Sequence, residues 1–168
     1  ANDASNNSNS GTITNAAWQA EGLCAFGPCL FYDGSGDLVS RADDADFDFA
    51  AANSFTISTW FRHAPKTSGT DMIVAKFNGT AAGYKIYMES DGDITCGIDD
   101  DTSFTPDDSV TSTAATYDDN QWHYVACVKS GTTSLTLYID GVSVGTPDTS
   151  FAATGTLENA DIFYIGMD

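Results

Sequence analysis

The sequence predicts an all-β fold, a two-layer antiparallel β-sandwich, on three observations. Residues 120–145, NQWHYVACVKSGTTSLTLYIDGVSVG, alternate apolar and polar positions in steps of two. Turn-forming pairs recur along the chain at Asp33-Gly34, Asn78-Gly79, Asp91-Gly92, Ser130-Gly131 and Asp140-Gly141. No stretch longer than two turns carries the 3.6-residue period of an amphipathic helix. Short strands punctuated in this way stack as antiparallel layers.

From the N-terminus, strand-like runs fall at residues 11–18, 29–33, 38–40, 55–62, 72–77, 84–89 and 94–98, each bounded by turn or loop residues. A short helical turn is expected within residues 44–52, ahead of the 55–62 strand. Residues 99–117 hold three adjacent aspartates, Pro106 and a Ser/Thr/Ala run, so they read as a long loop with room for one irregular strand. In the 122–129 strand, Trp122, Tyr124, Ala126 and Val128 face one way; His123, Val125, Cys127 and Lys129 face the other. The turn at 130–133 leads into the 135–139 strand. Asp140-Gly141 then supplies the positive φ angles of a two-residue hairpin and starts a further strand. Residues 145–158 read as a second polar connection, and residues 162–165 as the closing strand.

A chain of 168 residues is enough for one domain with a real core. Twenty-four acidic residues against six basic ones give a formal charge of −18. That charge repels nucleic acid and anionic lipid, so neither is an expected partner. No apolar run approaches the roughly 20 residues of a spanning helix, so membrane insertion is not expected. The first ten residues lack the basic start and apolar stretch of a signal peptide. The acids are 21 Asp and 3 Glu, and Asp is both a turn former and a hard oxygen ligand. A solvated, loop-rich surface suited to salty surroundings explains them, and so does calcium.

The four cysteines lack zinc-type spacing. Four cysteines admit three pairings. We expect Cys24 with Cys29, closing a short Ala-Phe-Gly-Pro loop, and Cys96 with Cys127, each in mid-strand. Both bonds imply an oxidising, extracellular or cell-surface location; four buried free thiols in a cytosolic protein are the rival reading.

The segment QWHYVACV followed by LTLYIDGVSVG resembles the Trp-His and Tyr-x-Asp-Gly hairpin of laminin G-like and pentraxin-like modules, which are concanavalin A-like jelly rolls. Residues 29–34 with 37–39 resemble the family's Phe-Asp-Gly…Asp-Tyr-Val strand pair. Phe55 to Phe61 resembles its Phe-Thr-Ile-Ser-x-Trp strand, and Tyr164-Ile165-Gly166 its closing strand. The resemblance implies one laminin G-like jelly-roll domain over residues 1–168. It also implies a C-terminal truncation, because the family's last strand follows Tyr-Ile-Gly and the sequence stops at Asp168. Whether that reflects a fragment or a variant without the strand stays open. An uncovered sheet edge would then invite self-association.

The jelly-roll glucanases of this class use two carboxylates at fixed separation. Glu89 and Asp93 offer such a pair superficially, but Asp91-Gly92 between them reads as a hairpin turn. With no nucleophile elbow, phosphate-binding glycine loop or His-Glu-x-x-His pair, the chain is not expected to be an enzyme. The resemblance makes His123 a framework residue bonded within the sandwich, and His63 reads as a loop residue. Two aspartate groups could serve calcium: Asp33 with Asp37 around a glycine-rich turn, and Asp99 with Asp101, near Asp107 and Asp108. A pentraxin-type double-calcium site is doubtful, since Ala81-Ala82-Gly83 stands where pentraxins carry Asp-Asn.

Sugar binding needs an exposed aromatic platform with polar groups nearby. Trp60, Trp122 and Tyr138 match framework positions that pack or brace the sandwich. Tyr87, Phe104 and Tyr117, in or beside the acidic loop, are expected to be free to meet a glycan. The function expected is a non-catalytic extracellular recognition module for carbohydrate or a protein partner, assisted by calcium if those aspartates converge. A structural or adhesive spacer without a small ligand is the alternative, and a glycoside hydrolase or lyase the least favoured.

Overall fold

The computed structural model describes residues 1–77, 82–101, 105–113 and 116–167. Phe104 and the Asn78-Gly79 turn lie outside the described residues. The described strands are β1 (Thr12–Thr14), β2 (Ala17–Trp18), β3 (Leu30–Phe31), β4 (Leu38–Arg41), β5 (Phe55–Arg62), β6 (Asp71–Lys76), β7 (Gly83–Met88), β8 (Ile94–Asp99), β9 (Asp108–Thr111), β10 (Trp122–Ser130), β11 (Ser134–Ile139), β12 (Val142–Asp148) and β13 (Phe163–Met167). Short 3-10 turns occupy Glu21–Leu23 and Ala45–Phe47, the second where a helical turn is expected.

Two antiparallel layers result. One sheet runs β1-β4-β13-β6-β7-β8-β9, the other β12-β11-β10-β5, and β2 pairs with β3 in a small ribbon. The apolar alternation of β7, β8, β10 and β11 turns Ile86, Met88, Ile94, Cys96, Val125, Cys127, Leu135 and Leu137 into the gap between the sheets. The Cys96–Cys127 disulfide crosses that gap and ties β8 to β10; the Cys24–Cys29 disulfide closes the small loop. Both expected pairings are therefore present. Two lysines share the inner faces. Lys76 is held by Asp43 and Asp48 at 2.9 and 2.6 Å. Lys129 donates to the carbonyls of Ala51, Asn53 and Gly131. Fully buried ammonium groups survive here because each meets several oxygens.

The structure corrects four local expectations. Residues 11–18 form two strands because Asn15 adopts a left-handed φ of 57° between them. β3 does not pair with β4: it joins β2, while β4 lies between β1 and β13. The polar connection from residue 145 opens as strand, since β12 continues to Asp148. Gly145, at φ 68°, absorbs an irregularity in the β11 register, and Pro147 is tolerated because β12 is an edge strand. β9 is a regular edge strand within the acidic loop. The Asp140-Gly141 hairpin is as expected, with both residues at positive φ, 52° and 80°.

Candidate ligand-binding face

β5 and β10 pair antiparallel with Trp60 opposite Tyr124 and Arg62 opposite Trp122. Opposed residues point to the same side of a sheet. Val125 and Cys127 fill the interior, so the alternate set of Trp60, Arg62, Trp122 and Tyr124 faces outward. Trp60 stays 43 % exposed, its ring tilted against Tyr124 at a centroid distance of 5.4 Å. The disulfide loop reaches over this face. Phe26, 74 % exposed, meets Trp60 edge-on at 5.2 Å, and the Trp122 indole N–H donates to the Leu23 carbonyl at 3.3 Å. The Arg62 guanidinium lies 5.6 Å from the Trp122 ring centre. Several rings and a cation thus share one open surface.

The aromatic residues singled out for sugar contact are placed otherwise. Tyr87 is 8 % exposed in the central strand β7, and burial, helped by Glu89, pushes its phenol up to about 12. Tyr117 is 9 % exposed, packed edge-on against His123 at 5.1 Å, its phenol also raised by burial. Neither offers a free ring face, which corrects that expectation. Trp60, expected at a framework position that packs or braces the sandwich, instead keeps an open ring on the outer face. A Trp on the outward step of β5 beside an outward Tyr on β10 was the available signal.

The aspartates turn mainly to backbone amides. Asp37 is buried and accepts from the Asp33 amide across the glycine turn, while Asp33 is exposed. Asp99 accepts from the Asp101 amide at 2.9 Å, and Asp108 from the amides of Ala152 and Ala153 at 2.8 and 2.7 Å. Burial raises the Asp99 carboxyl, partly offset by that amide. Among the described residues, no three acidic, His or Cys side chains gather into a group that could hold a metal. In each of these turns one carboxylate accepts from its partner's backbone amide, Asp37 from Asp33 and Asp99 from Asp101.

The Glu89 to Asp93 segment is a turn, closed by the Glu89 amide on the Asp93 carbonyl at 2.8 Å. Both side chains are half-buried rather than in solvent: Glu89 accepts from the Thr95 hydroxyl and Asp93 from the Ser112 hydroxyl. His123 bridges Asp140 at 2.8 Å and Asp119 at 3.1 Å, a bonded residue of the sandwich. His63 reaches Asp71 at 2.9 Å.

No curated protein matches the chain significantly. Solved structures do. The binding domain of Paraclostridial Mosquitocidal Protein 1 superposes with a TM-score of 0.79 at 16 % identity, over 98 % of this chain and 41 % of that one. The binding domain of botulinum neurotoxin serotype G gives 0.67 at 12 % identity, over 96 % and 40 %. A botulinum neurotoxin type C structure, whose cell entry depends on interaction with two ganglioside molecules, gives 0.65 at 13 % identity, over 95 % and 39 %. The chain thus spans about two fifths of the length of each, and at these identities the likeness is one of fold. A laminin G-type family profile matches residues 33–168, most of the described sandwich, so the chain belongs to that family within the concanavalin A-like lectin/glucanases superfamily.

Proposed function

We propose that the chain is a non-catalytic recognition module working outside the cell, and that it binds carbohydrate on the outer face of the four-stranded sheet. One observation carries the reading: Trp60 presents an open ring, flanked by Tyr124 and Phe26, in a chain whose core already holds ample aromatic residues. Sugar rings bring C–H groups to such faces and keep their hydroxyls hydrated. The similarity to toxin binding domains, one of them from a protein that interacts with gangliosides, supports a binding role over catalysis. The two disulfides support an extracellular setting. Because the proposed platform is aromatic, its binding should not require calcium.

A glycan array probed with the folded chain tests this, run with calcium and with EDTA. Saturable binding that survives EDTA and drops at least tenfold in Trp60→Ala is expected. Silence across the array, or binding untouched by that substitution, would return weight to a protein partner or a spacer role.

A second reading concerns self-association. Among the described residues β5 pairs with β10 on one side only, and a cleft of about 300 Å³ lined by Phe47, Phe49, Ile57, Tyr84 and Phe163 runs beside it. We propose that a second copy adds a strand to that edge. Sedimentation equilibrium reads it directly: a concentration-dependent dimer is expected, and a monomer at the highest attainable concentration refutes it.

A further inference from the structure

We infer that the ligand read on this face carries a carboxylate, as in uronic or sialic acid sugars, and that Arg62 is the residue that recognises it. The inference rests on the carbohydrate reading above and narrows its substrate class.

The chain has six basic side chains, and five of them are already engaged. Arg41 pairs with Asp44 at 3.0 Å and Lys66 with Asp71 at 2.5 Å. Lys76 is sealed between Asp43 and Asp48, and Lys129 is buried among backbone carbonyls. Lys85 is buried with its ammonium 4.1 Å from the Tyr87 ring centre. Arg62 alone is exposed with no ion pair or side-chain hydrogen bond among the described residues, although acids outnumber bases 24 to 6.

Its position gives that freedom a use. The guanidinium rests by the Trp122 ring, which restricts it without consuming its N–H groups, and an Arg fork matches a carboxylate with two parallel bonds. Trp60 precedes it by two residues on the same face, a spacing of roughly 7 Å along a strand. A sugar ring seated on Trp60 therefore brings a neighbouring substituent within reach of Arg62. The charge of the whole chain makes the local cation matter more. A −18 molecule repels anions at long range, but that field is screened within about 8 Å at physiological salt. An acidic ligand that reaches the face meets a cation there.

The test measures affinity by calorimetry for two acidic probes, oligogalacturonate and sialyllactose, against neutral partners of the same length, a galactose oligomer and the methyl ester of sialyllactose. An acidic probe is expected to bind about tenfold tighter than its neutral partner, the worth of one charge-assisted contact. Which acidic probe shows the advantage separates the two sugar sources. Arg62→Met keeps the apolar stem and should bring the acidic probe down to the affinity of its neutral partner measured with the same variant; Arg62→Lys should restore part of the advantage. Melting temperatures of both variants should match the parent, since the side chain is exposed. If each acidic probe binds no better than its neutral partner, or the preference survives in Arg62→Met, Arg62 does not read the ligand and the platform reading stands. If no sugar binds at all, both fail.

Discussion

The two outer faces of this sandwich carry the same chemistry and differ in what lies on top. On the seven-stranded sheet Lys85 sits over Tyr87; on the four-stranded sheet Arg62 sits over Trp122. The first pair is buried, with Phe77 beside Lys85 and Pro106 pressed close enough to Gly97 that a Cβ there would stand 2.9 Å away. The second is open, with Arg62 exposed and the disulfide loop at its border. A cation and a ring stabilise the fold where a further layer covers them, and are available to a ligand where it does not.

The largest way to break the contrast is to release the two sheets from each other. Replacing Cys96 and Cys127 together by Ala should cost about 3 to 4 kcal/mol, from the chain entropy restored to a loop spanning 31 residues. Denaturant titration of the oxidised parent and the variant reads this directly; equal midpoints would mean that the packed core needs no clasp.

Next comes a matched pair of truncations. Tyr87→Ala should destabilise by about 3 kcal/mol, as a buried ring lost from a central strand, and leave sugar binding intact below the melting point. Trp60→Ala should do the reverse, losing binding with about 1 kcal/mol of stability. If both variants behaved alike, cover would not be what divides the faces.

A third test uses pH. Burial pulls the Lys85 ammonium down to about 8, against the pull of Glu89 and Asp99 the other way. Between that value and the ordinary lysine value near 10.4 the unfolded chain binds the extra proton, so stability should rise with pH. Tyr84 and Tyr87, both raised by burial, reverse the trend above about pH 10, where only the unfolded phenols ionise. Melting temperatures in Lys85→Met should lose the rise between pH 8 and pH 10; Arg62→Met should keep it.

The smallest effect belongs to His123, at the join of the two layers. Burial alone would lower its pKa, but hydrogen bonds to Asp140 and Asp119 outweigh burial and raise it. Its contribution is full below the unfolded value near 6.5 and is lost as pH climbs through the folded one. His123→Gln should therefore cost about 1 kcal/mol at pH 5 and less at pH 9, followed by thermal melts; a constant difference would mean that the imidazole acts by packing alone.

Much of the fold was legible in the residues. The bounds of β5, the Asp140-Gly141 hairpin and both cysteine pairings follow from alternation, turn chemistry and spacing. The proposed binding face was not. Alternation divides Trp60 from Phe61 and Tyr87 from Ile86, but it is silent on which side a third layer will cover. That depends on distant segments, such as the Pro106 region folding back on β8 and the Cys24–Cys29 loop reaching Trp60. The aspartates are ambiguous for a related reason. A carboxylate on a turn serves a metal or its own backbone amides equally well in sequence, and here Asp37, Asp99 and Asp108 took the amides.

The Cys24–Cys29 ring, small as it is, sets the thermodynamic character of the face. It sets Phe26 against Trp60 in advance, so on the proposed carbohydrate reading association should freeze few additional rotors. Reducing that bond would leave the sandwich folded and the β5 aromatics in place, yet slacken the rim. The proposed binding should then be less selective under reducing conditions than under oxidising ones.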